Sequence, residues 1–343
     1  LGPGDSQVDC EVVPICEQAL MFPTSKDKKV LNEHAKQVSQ ARKTTDKKLR
    51  QLLPDIDIIH SHGFDLSNFA DFPNLTTIHN KIYLNDPYYL MNLNYYLDRK
   101  NLFYASVSKN QQAVCPELNF VATVYNGEDP HEFPIVTEPQ DYLCFLGRFD
   151  RDKAPHMAIE LALNLGEKIK LAGKLDHDSQ GYFDEEIKPY LDHPLVEYLG
   201  ELGFDEKVAL LSNAKCNLHP TNFREPFGLT VVEAAYSGTP TLAIARGSMP
   251  ELIETDRTGV LVEDFIEGRY RIQECYELDR RYIASRARQL FNYRGMTEHY
   301  LEAYEKVILQ MPATQSEHSI FYRALEHAFS RLHSSRKEKA HIH

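Results

Sequence analysis

Short β-branched runs separated by stretches of helical spacing recur along most of this chain, and few folds accommodate that pattern. In the first part the runs are Ile56–His60, Leu75–Asn80, Phe103–Ser108 and Phe120–Tyr125. From Asp141 the alternation restarts with greater regularity, with strands expected at 142–146, 168–172, 195–199, 215–219, 239–244 and 259–262. Helices are expected between them at 155–165, 181–191, 205–213, 228–237 and 249–254. Strands joined by helix-length connections cannot pair as hairpins; each crossover lays the next strand parallel to the last. The pattern therefore predicts an α/β protein with two parallel-sheet layers.

The break between the layers is legible. Asn126-Gly127 ends the first series, and Pro130, Pro134 and Pro139 crowd the residues that follow, a composition that suits a linker. A chain of 343 residues also exceeds what one hydrophobic core usually holds. We expect an N-terminal domain over 1–135, a second over 136–265, polar helices over 266–311 that cross back to the first domain, and an extra helix (318–335) with a frayed tail in 312–343. Leu1–Ser6 resembles a loop that follows a strand, so the N-terminal domain is expected to lack its opening segment.

Composition narrows the function classes. Hydrophobic residues make up 42% and charged residues 26%, with a net charge of −12, which argues against nucleic acid as the main partner. No apolar run approaches the ~20 residues of a membrane span, and the six cysteines show no CxxC spacing, so free thiols of a cytoplasmic protein are expected. A helical stripe over 27–53 (Leu31, Val38, Leu49, Leu52) carries Lys28, Lys29, Lys36, Arg42, Lys43, Lys47, Lys48 and Arg50 on its other faces. Such a helix suits either plain solvation or peripheral contact with an anionic membrane face. His60 and His62 close a strand as a possible metal pair, but no third ligand has suitable local spacing.

In open parallel sheets ligands sit at the carboxyl ends of the strands, so the loops there are where chemistry is sought. Three are informative. Gly147-Arg148-Phe149-Asp150-Arg151-Asp152-Lys153 follows the first strand of the second series, Gly173-Lys174 the second, and Pro220–Glu225 the fourth. Arg148 offers a planar fork of donors and Lys153 a point charge, a pair suited to two phosphates, unless Asp150 or Asp152 simply neutralises Arg148. Beyond Glu225 the chain reads Pro226-Phe227-Gly228-Leu229-Thr230-Val231-Val232-Glu233, a loop entering a helix. Its first amides, around Gly228, Leu229 and Thr230, would point at an anion. Leu229, Val232 and Ala235 are expected to face the core. Glu225 and Glu233 are either ligand-holding carboxylates or solvated helix-start acids.

With these residues in register the chain resembles the retaining glycosyltransferases of family 4 (glycosyl transferases group 1), which have the GT-B fold. The resemblance runs from about 1 to 310 and rests on Glu225-x7-Glu233, Gly147-Arg148 with Lys153, Leu171-Ala172-Gly173, Tyr198-Leu199-Gly200, Ser237-Gly238-Thr239-Pro240, Gly247–Glu251 and Thr258–Val262. In the first domain, Thr77-Ile78-His79-Asn80 and Tyr125-Asn126-Gly127 also match. It implies two Rossmann-like domains facing across a cleft, the N-terminal one incomplete. It further implies a sugar donor carried on a nucleoside diphosphate, a UDP-sugar by preference, with no metal or other cofactor. The acceptor would be a glycan or lipid-linked glycan of polysaccharide biosynthesis. By the same resemblance Arg148 and Lys153 neutralise the diphosphate, and Glu225 holds the sugar and Glu233 the ribose. The amides of Gly228–Thr230 hold the distal phosphate, Gly147, Gly173 and Phe227 belong to the donor site, and His79 faces the sugar. Ala154 replaces the family's glycine, and Tyr236 stands where a small residue is commoner. A sugar-nucleotide epimerase of the same architecture and a non-catalytic nucleotide-sugar binder are the competing readings. An assay without acceptor separates the former, and binding without turnover the latter.

Overall fold

The computed structural model describes residues 1–8, 10–21, 23, 27–82, 97 and 99–311. The helix expected at 318–335 and the tail after it lie outside the described residues. The chain forms two compact units. Among the described residues the smaller comprises Leu1–His60, Asn68–Asn74 and 305–311. Within it strands β1 (Gly2–Pro3) and β2 (Pro14–Cys16) pair in parallel. Helix α1 (Lys28–Leu52) is capped by the Asp27 carboxylate, which accepts from the Lys29 amide at 2.8 Å. Pro54 closes α1 in a 3₁₀ turn at Leu53–Asp55. The following strand, β3 (Ile59–Ser61), therefore starts later than the expected Ile56.

The larger unit, Ser61–Ser67 with Leu75–Tyr304, carries most of the first series of strands and all of the second. Of the first series, β4 (Asn74–Ile78), β5 (Tyr104–Ser106) and β6 (Phe120–Thr123) are parallel neighbours. Of the second, β7 (Leu143–Leu146), β8 (Ile169–Ala172), β9 (Val196–Tyr198), β10 (Cys216–His219), β11 (Thr241–Ile244) and β12 (Gly259–Val262) make one parallel sheet in the order β12-β11-β10-β7-β8-β9. The α/β class read from the sequence is the class observed.

The central strands β7, β10 and β11 are buried at nearly every position, as expected of a parallel sheet covered on both faces. On β7, Leu143 and Phe145 enter one core, built with α3 (Pro155–Leu165), α4 (Gln180–Glu186) and α8 (Phe265–Tyr276), while Cys144 enters another on the opposite face. The second face is covered by α5 (Phe204–Asn213) and α6 (Leu229–Tyr236). Helix α4 stops short of the expected 191: Pro189 cannot donate to an α-helical ladder, and a 3₁₀ turn at Lys188–Tyr190 replaces the last turn. The inward face expected for α6 needs correction. Leu229 is 47% exposed, whereas Val231, Val232, Ala234 and Tyr236 are buried. Helix α6 is packed on several sides, so three-residue spacing over eight residues does not single out one apolar stripe.

A short helix, α7 (Met249–Leu252), ties the two sheets together. Its Glu251 carboxylate accepts from the Lys109 and Asn110 amides at 2.8 and 2.6 Å, at the start of α2 (Lys109–Val114), and from the Tyr125 hydroxyl at 2.9 Å. A carboxylate at a helix N-terminus also complements the helix dipole. Helices α9 (Arg280–Leu290) and α10 (Tyr293–Gln310) follow. All six cysteines are free, and four are buried. Among the described residues no helix is long and apolar enough to cross a membrane.

Candidate functional site

The strand order reverses between β10 and β7, which pair directly although their chain positions are far apart. At such a switch point the loops leaving the two strands diverge to opposite sides and open a crevice. The β7 loop supplies Arg148–Lys153 and the β10 loop Phe223–Pro226. Both line a cavity of about 850 Å³, together with His79, Asn80 and Lys81 from the loop after β4. Side chains far apart in sequence thus meet at one strand edge.

The β7 loop is shaped by its own acids. The Asp150 carboxylate accepts the Lys153 amide at 2.8 Å, and the Asp150 carbonyl accepts the Ala154 amide at 3.0 Å. The turn leaves Ala154 at φ 50°, ψ 47°, a left-handed conformation that costs an alanine about 1–2 kcal/mol. The glycine expected at this position would carry no such strain. Pro155 then opens α3 with its fixed φ. Lys153 is thereby aimed across the switch point, where its ammonium donates to the Glu225 carboxylate; the two side chains are only 17% and 13% exposed.

Every cation of this cavity is met by a carboxylate. Arg148 lies 3.3 Å from Asp150 and 3.9 Å from Asp176, and Arg151 lies 3.3 Å from Glu185. Lys81 donates to Asp152 at 2.8 Å, and its ammonium also sits 4.9 Å from the centre of the Phe223 ring. Glu225 is further flanked by buried His219, whose ring nitrogen lies 3.9 Å away and is hydrogen-bonded to Thr221 at 2.9 Å. Burial, reinforced by Lys153, holds the His219 imidazole well below its ordinary range. His219 is therefore neutral, and its contact with Glu225 is not an ion pair. Lys153 is the cation that compensates Glu225.

At the other wall His79 follows β4. Its Nε2 lies 2.8 Å from Nδ1 of His62. His62, weighed above as a metal partner of His60, is thus engaged with a different histidine. Among the described residues no group of three or more His, Cys, Asp or Glu side chains is placed to hold a metal ion.

The remaining residues named from the sequence do not line this cavity. Gly147 and Gly173 shape it from behind: an added Cβ on Gly173, at φ +141°, would fall 1.8 Å from the Gly147 carbonyl oxygen. The Phe227 ring is buried in a core with Val231, Tyr236 and Met249, and its carbonyl accepts from the Ser248 hydroxyl. Gly228 is the N-cap of α6 at φ 110°. The Val231 and Val232 amides bond back to the Gly228 carbonyl. Leu229 and Thr230 precede that bonded turn, where helix amides have no intrahelical acceptor. Glu233 is 5% exposed and is bonded to Lys207 on α5 at 2.7 Å.

Glu128 adjoins this buried pair. Its amide donates to the Tyr236 hydroxyl at 3.2 Å, and that hydroxyl donates to the Phe291 carbonyl. Tyr236, bulky where a small residue was expected, thereby fixes the linker against the core. Burial and then the neighbouring Glu233 charge raise the Glu128 carboxyl above its ordinary range. A raised carboxyl favours folding below the ordinary carboxylate pKa and loses that contribution as pH rises through the native value. Glu128→Gln is accordingly expected to stabilise the protein at pH 7 and to leave it unchanged at pH 4. Chemical unfolding at the two pH values measures this, and equal effects at both would disprove it.

Lys81, His62, His219, Glu128 and Lys207 were not assigned to the site from the sequence. Lys81 carried a signal, two residues beyond His79 in the same strand-end loop; Lys207 lies on an ordinary helix and carried none.

The glycosyl transferases group 1 family model matches residues 129–268. The chain is 25% identical over 240 residues to a glycogen synthase of Mycobacterium tuberculosis, covering 60% of this chain and 56% of that protein. It thus spans little more than half of that relative's length. Among solved structures, sucrose-phosphate synthase from Thermosynechococcus elongatus superposes with a TM-score of 0.67 at 19% identity, covering 82% of this chain and 80% of that one. HepE from Anabaena, solved with UDP-glucose, gives 0.63 at 17% identity over 81% and 88%. The α/β fold is therefore one that glycosyltransferases share. The stretch matched by the glycosyl transferases group 1 model, residues 129–268, contains the switch-point carboxylate Glu225 and its cation Lys153.

Proposed function

We propose that this protein is a retaining, metal-independent hexosyltransferase of family 4. It moves a sugar from a nucleoside diphosphate, UDP by preference, to an acceptor hydroxyl. The observation that carries the reading is the meeting of Lys153, Arg148, Glu225 and His79 in one cavity at the strand-order reversal. Two cations beside a nearly buried carboxylate suit a charged leaving group joined to a polyhydroxylated ring. On this reading a diphosphate displaces the carboxylate partners of Arg148 and Lys153. Glu225, released from Lys153, accepts hydrogen bonds from sugar hydroxyls, and the first amides of α6 receive the distal phosphate. Glu233 exchanges Lys207 for the ribose hydroxyls, and His79 faces the sugar.

Attack on the donor face that the diphosphate leaves accounts for retention without a protein nucleophile. The bond from the anomeric carbon to the diphosphate oxygen breaks as the bond to the acceptor oxygen forms, and the acceptor proton passes to the departing phosphate. Arg148 and Lys153 stabilise the charge that develops there. The UDP-glucose held by HepE supports UDP as the carrier. The exposed basic residues of α1, among them Lys28, Lys29, Lys36, Arg42, Lys43 and Lys47, support a glycan or lipid-linked acceptor at the cytoplasmic face of a membrane.

The test is a thermal-shift screen of nucleoside diphosphates and their sugars, followed by proton NMR of the transferred product. UDP and one UDP-sugar are expected to raise the melting temperature by mass action, and the product is expected to keep the donor's anomeric configuration in excess chelator. An inverted product, or turnover abolished by chelation, would refute the reading.

A further inference from the structure

We infer that His62 is a positioning residue for His79, holding its ring in one tautomer and one orientation toward the cavity. The inference rests on the reading above only in taking His79 as the group that faces the sugar.

The geometry is that of a paired imidazole couple. The ring centroids are 5.1 Å apart and 23° from parallel, with Nδ1 of His62 at 2.8 Å from Nε2 of His79. Local structure places each ring. The Ser61 hydroxyl accepts from the Gly63 and Phe64 amides at 3.2 and 2.8 Å, a tight turn at the end of β3 that sets the direction of His62. The Tyr300 ring on α10 meets the His62 ring edge-on at 6.4 Å between centroids, and the Thr77 hydroxyl bonds to Tyr300 at 3.0 Å. His62 is therefore steadied from behind by the strand that carries His79.

One nitrogen of the couple must donate and the other accept, so the two tautomers are linked. If His62 donates from Nδ1, the Nε2 of His79 is an acceptor and its Nδ1 carries the proton. If His79 donates, its Nδ1 is the acceptor. The tautomer of His62 thus decides whether Nδ1 of His79 donates or accepts. The couple also resists a second proton, because two adjacent imidazolium rings repel. Burial lowers both rings' affinity for protons, and His62 lowers that of His79 further. The cations Lys81, Arg148, Arg151 and Lys153 share the cavity with His79, as do the acids Asp150, Asp152, Asp178 and Glu225 and the Tyr182 hydroxyl. Tyr300 is a titratable group packed against His62.

The experiment is nitrogen-15 NMR of the histidine rings in the full chain, titrated between about pH 5 and 8, for wild type, His62→Phe and His62→Asn. Phenylalanine keeps a flat ring and removes the hydrogen bond; asparagine can keep a bond at the Nδ1 position without a titrating proton. In His62→Phe, His79 is expected to titrate at higher pH and to show mixed tautomers, and in His62→Asn to keep one tautomer. With UDP-glucose as probe, His62→Phe is expected to lower kcat about five- to tenfold, the worth of one hydrogen bond. KM should stay within about twofold and His62→Asn should recover most of the loss, a split that general destabilisation would not produce. Unchanged titration and tautomer of His79 in His62→Phe would overturn the inference. Turnover undiminished in His79→Ala would instead remove the sugar-facing role of His79, while the NMR result still decides whether His62 sets its tautomer.

Discussion

Lys153→Ala is expected to lower turnover of a UDP-sugar by about a hundredfold or more, the range found when one charge-stabilising donor is removed from an active site. The same substitution has a structural consequence that must be separated from the chemical one. Lys153 and Glu225 are 17% and 13% exposed and bonded to each other, and His219, held neutral by burial, does not offset the carboxylate's charge. Removing the lysine alone leaves Glu225 largely desolvated and uncompensated, a situation that costs about 3 kcal/mol in buried pairs. Glu225→Ala leaves Lys153 in the mirror-image state. The double variant Lys153→Ala with Glu225→Ala removes both charges, so its stability should return most of the way to wild type while its activity does not. Chemical unfolding and donor turnover on all four proteins complete the cycle. If activity recovers together with stability in the double variant, the pair is structural and the assignment of Lys153 to the diphosphate fails.

The second large effect comes from a close approach of backbone to backbone. Gly173→Ala is expected to destabilise the protein by about 3–5 kcal/mol and to lower its melting temperature by roughly 10 °C. Three backbone hydrogen bonds bind the loops leaving β7, β8 and β9: Gly147 to Ala172 at 3.1 Å, Phe149 to Lys174 at 2.9 Å, and Gly173 to Gly200 at 2.8 Å. Gly173 sits among them at φ +141°, and a methyl group would overlap the Gly147 carbonyl oxygen. Because that atom is backbone, the strain cannot be relieved by rotating a side chain; the β7 loop that carries Arg148 must move. Differential scanning calorimetry measures the effect, and a melting temperature within about two degrees of wild type would contradict this account.

How much of this was legible beforehand varied from element to element. Strands β7 to β12 could be placed to within two residues, because a sheet covered on both faces draws on largely apolar runs and its loops need glycine, proline and asparagine. Helix α1 was equally plain, since a 25-residue helix repeats its stripe many times. The face of α6 was misjudged because an eight-residue helix offers too few turns for periodicity to outweigh packing on several sides. At the site, Arg148, Lys153 and Glu225 are singled out by their place in strand-end loops and His79 by the family resemblance, and the structure brings all four to one cavity. The exchange of partners was not legible: Glu225 with Lys153, Glu233 with Lys207, and His62 with His79 rather than with His60.

The sequence by itself determined the elements and the loops that carry chemistry, since both follow from local spacing: periodicity for strands and helices, and turn residues for the segments between. What only the tertiary structure decided was adjacency. Strand order places β10 beside β7 rather than beside β9, and that reversal brings Glu225 to Lys153 across a sequence separation of 72. Such adjacency depends on how the faces of distant elements pack, which leaves no mark in the residues near either partner. The same holds for Glu251 at the start of α2 and for the imidazole couple beside the cavity, where single side chains acquire their roles from neighbours supplied by another part of the chain.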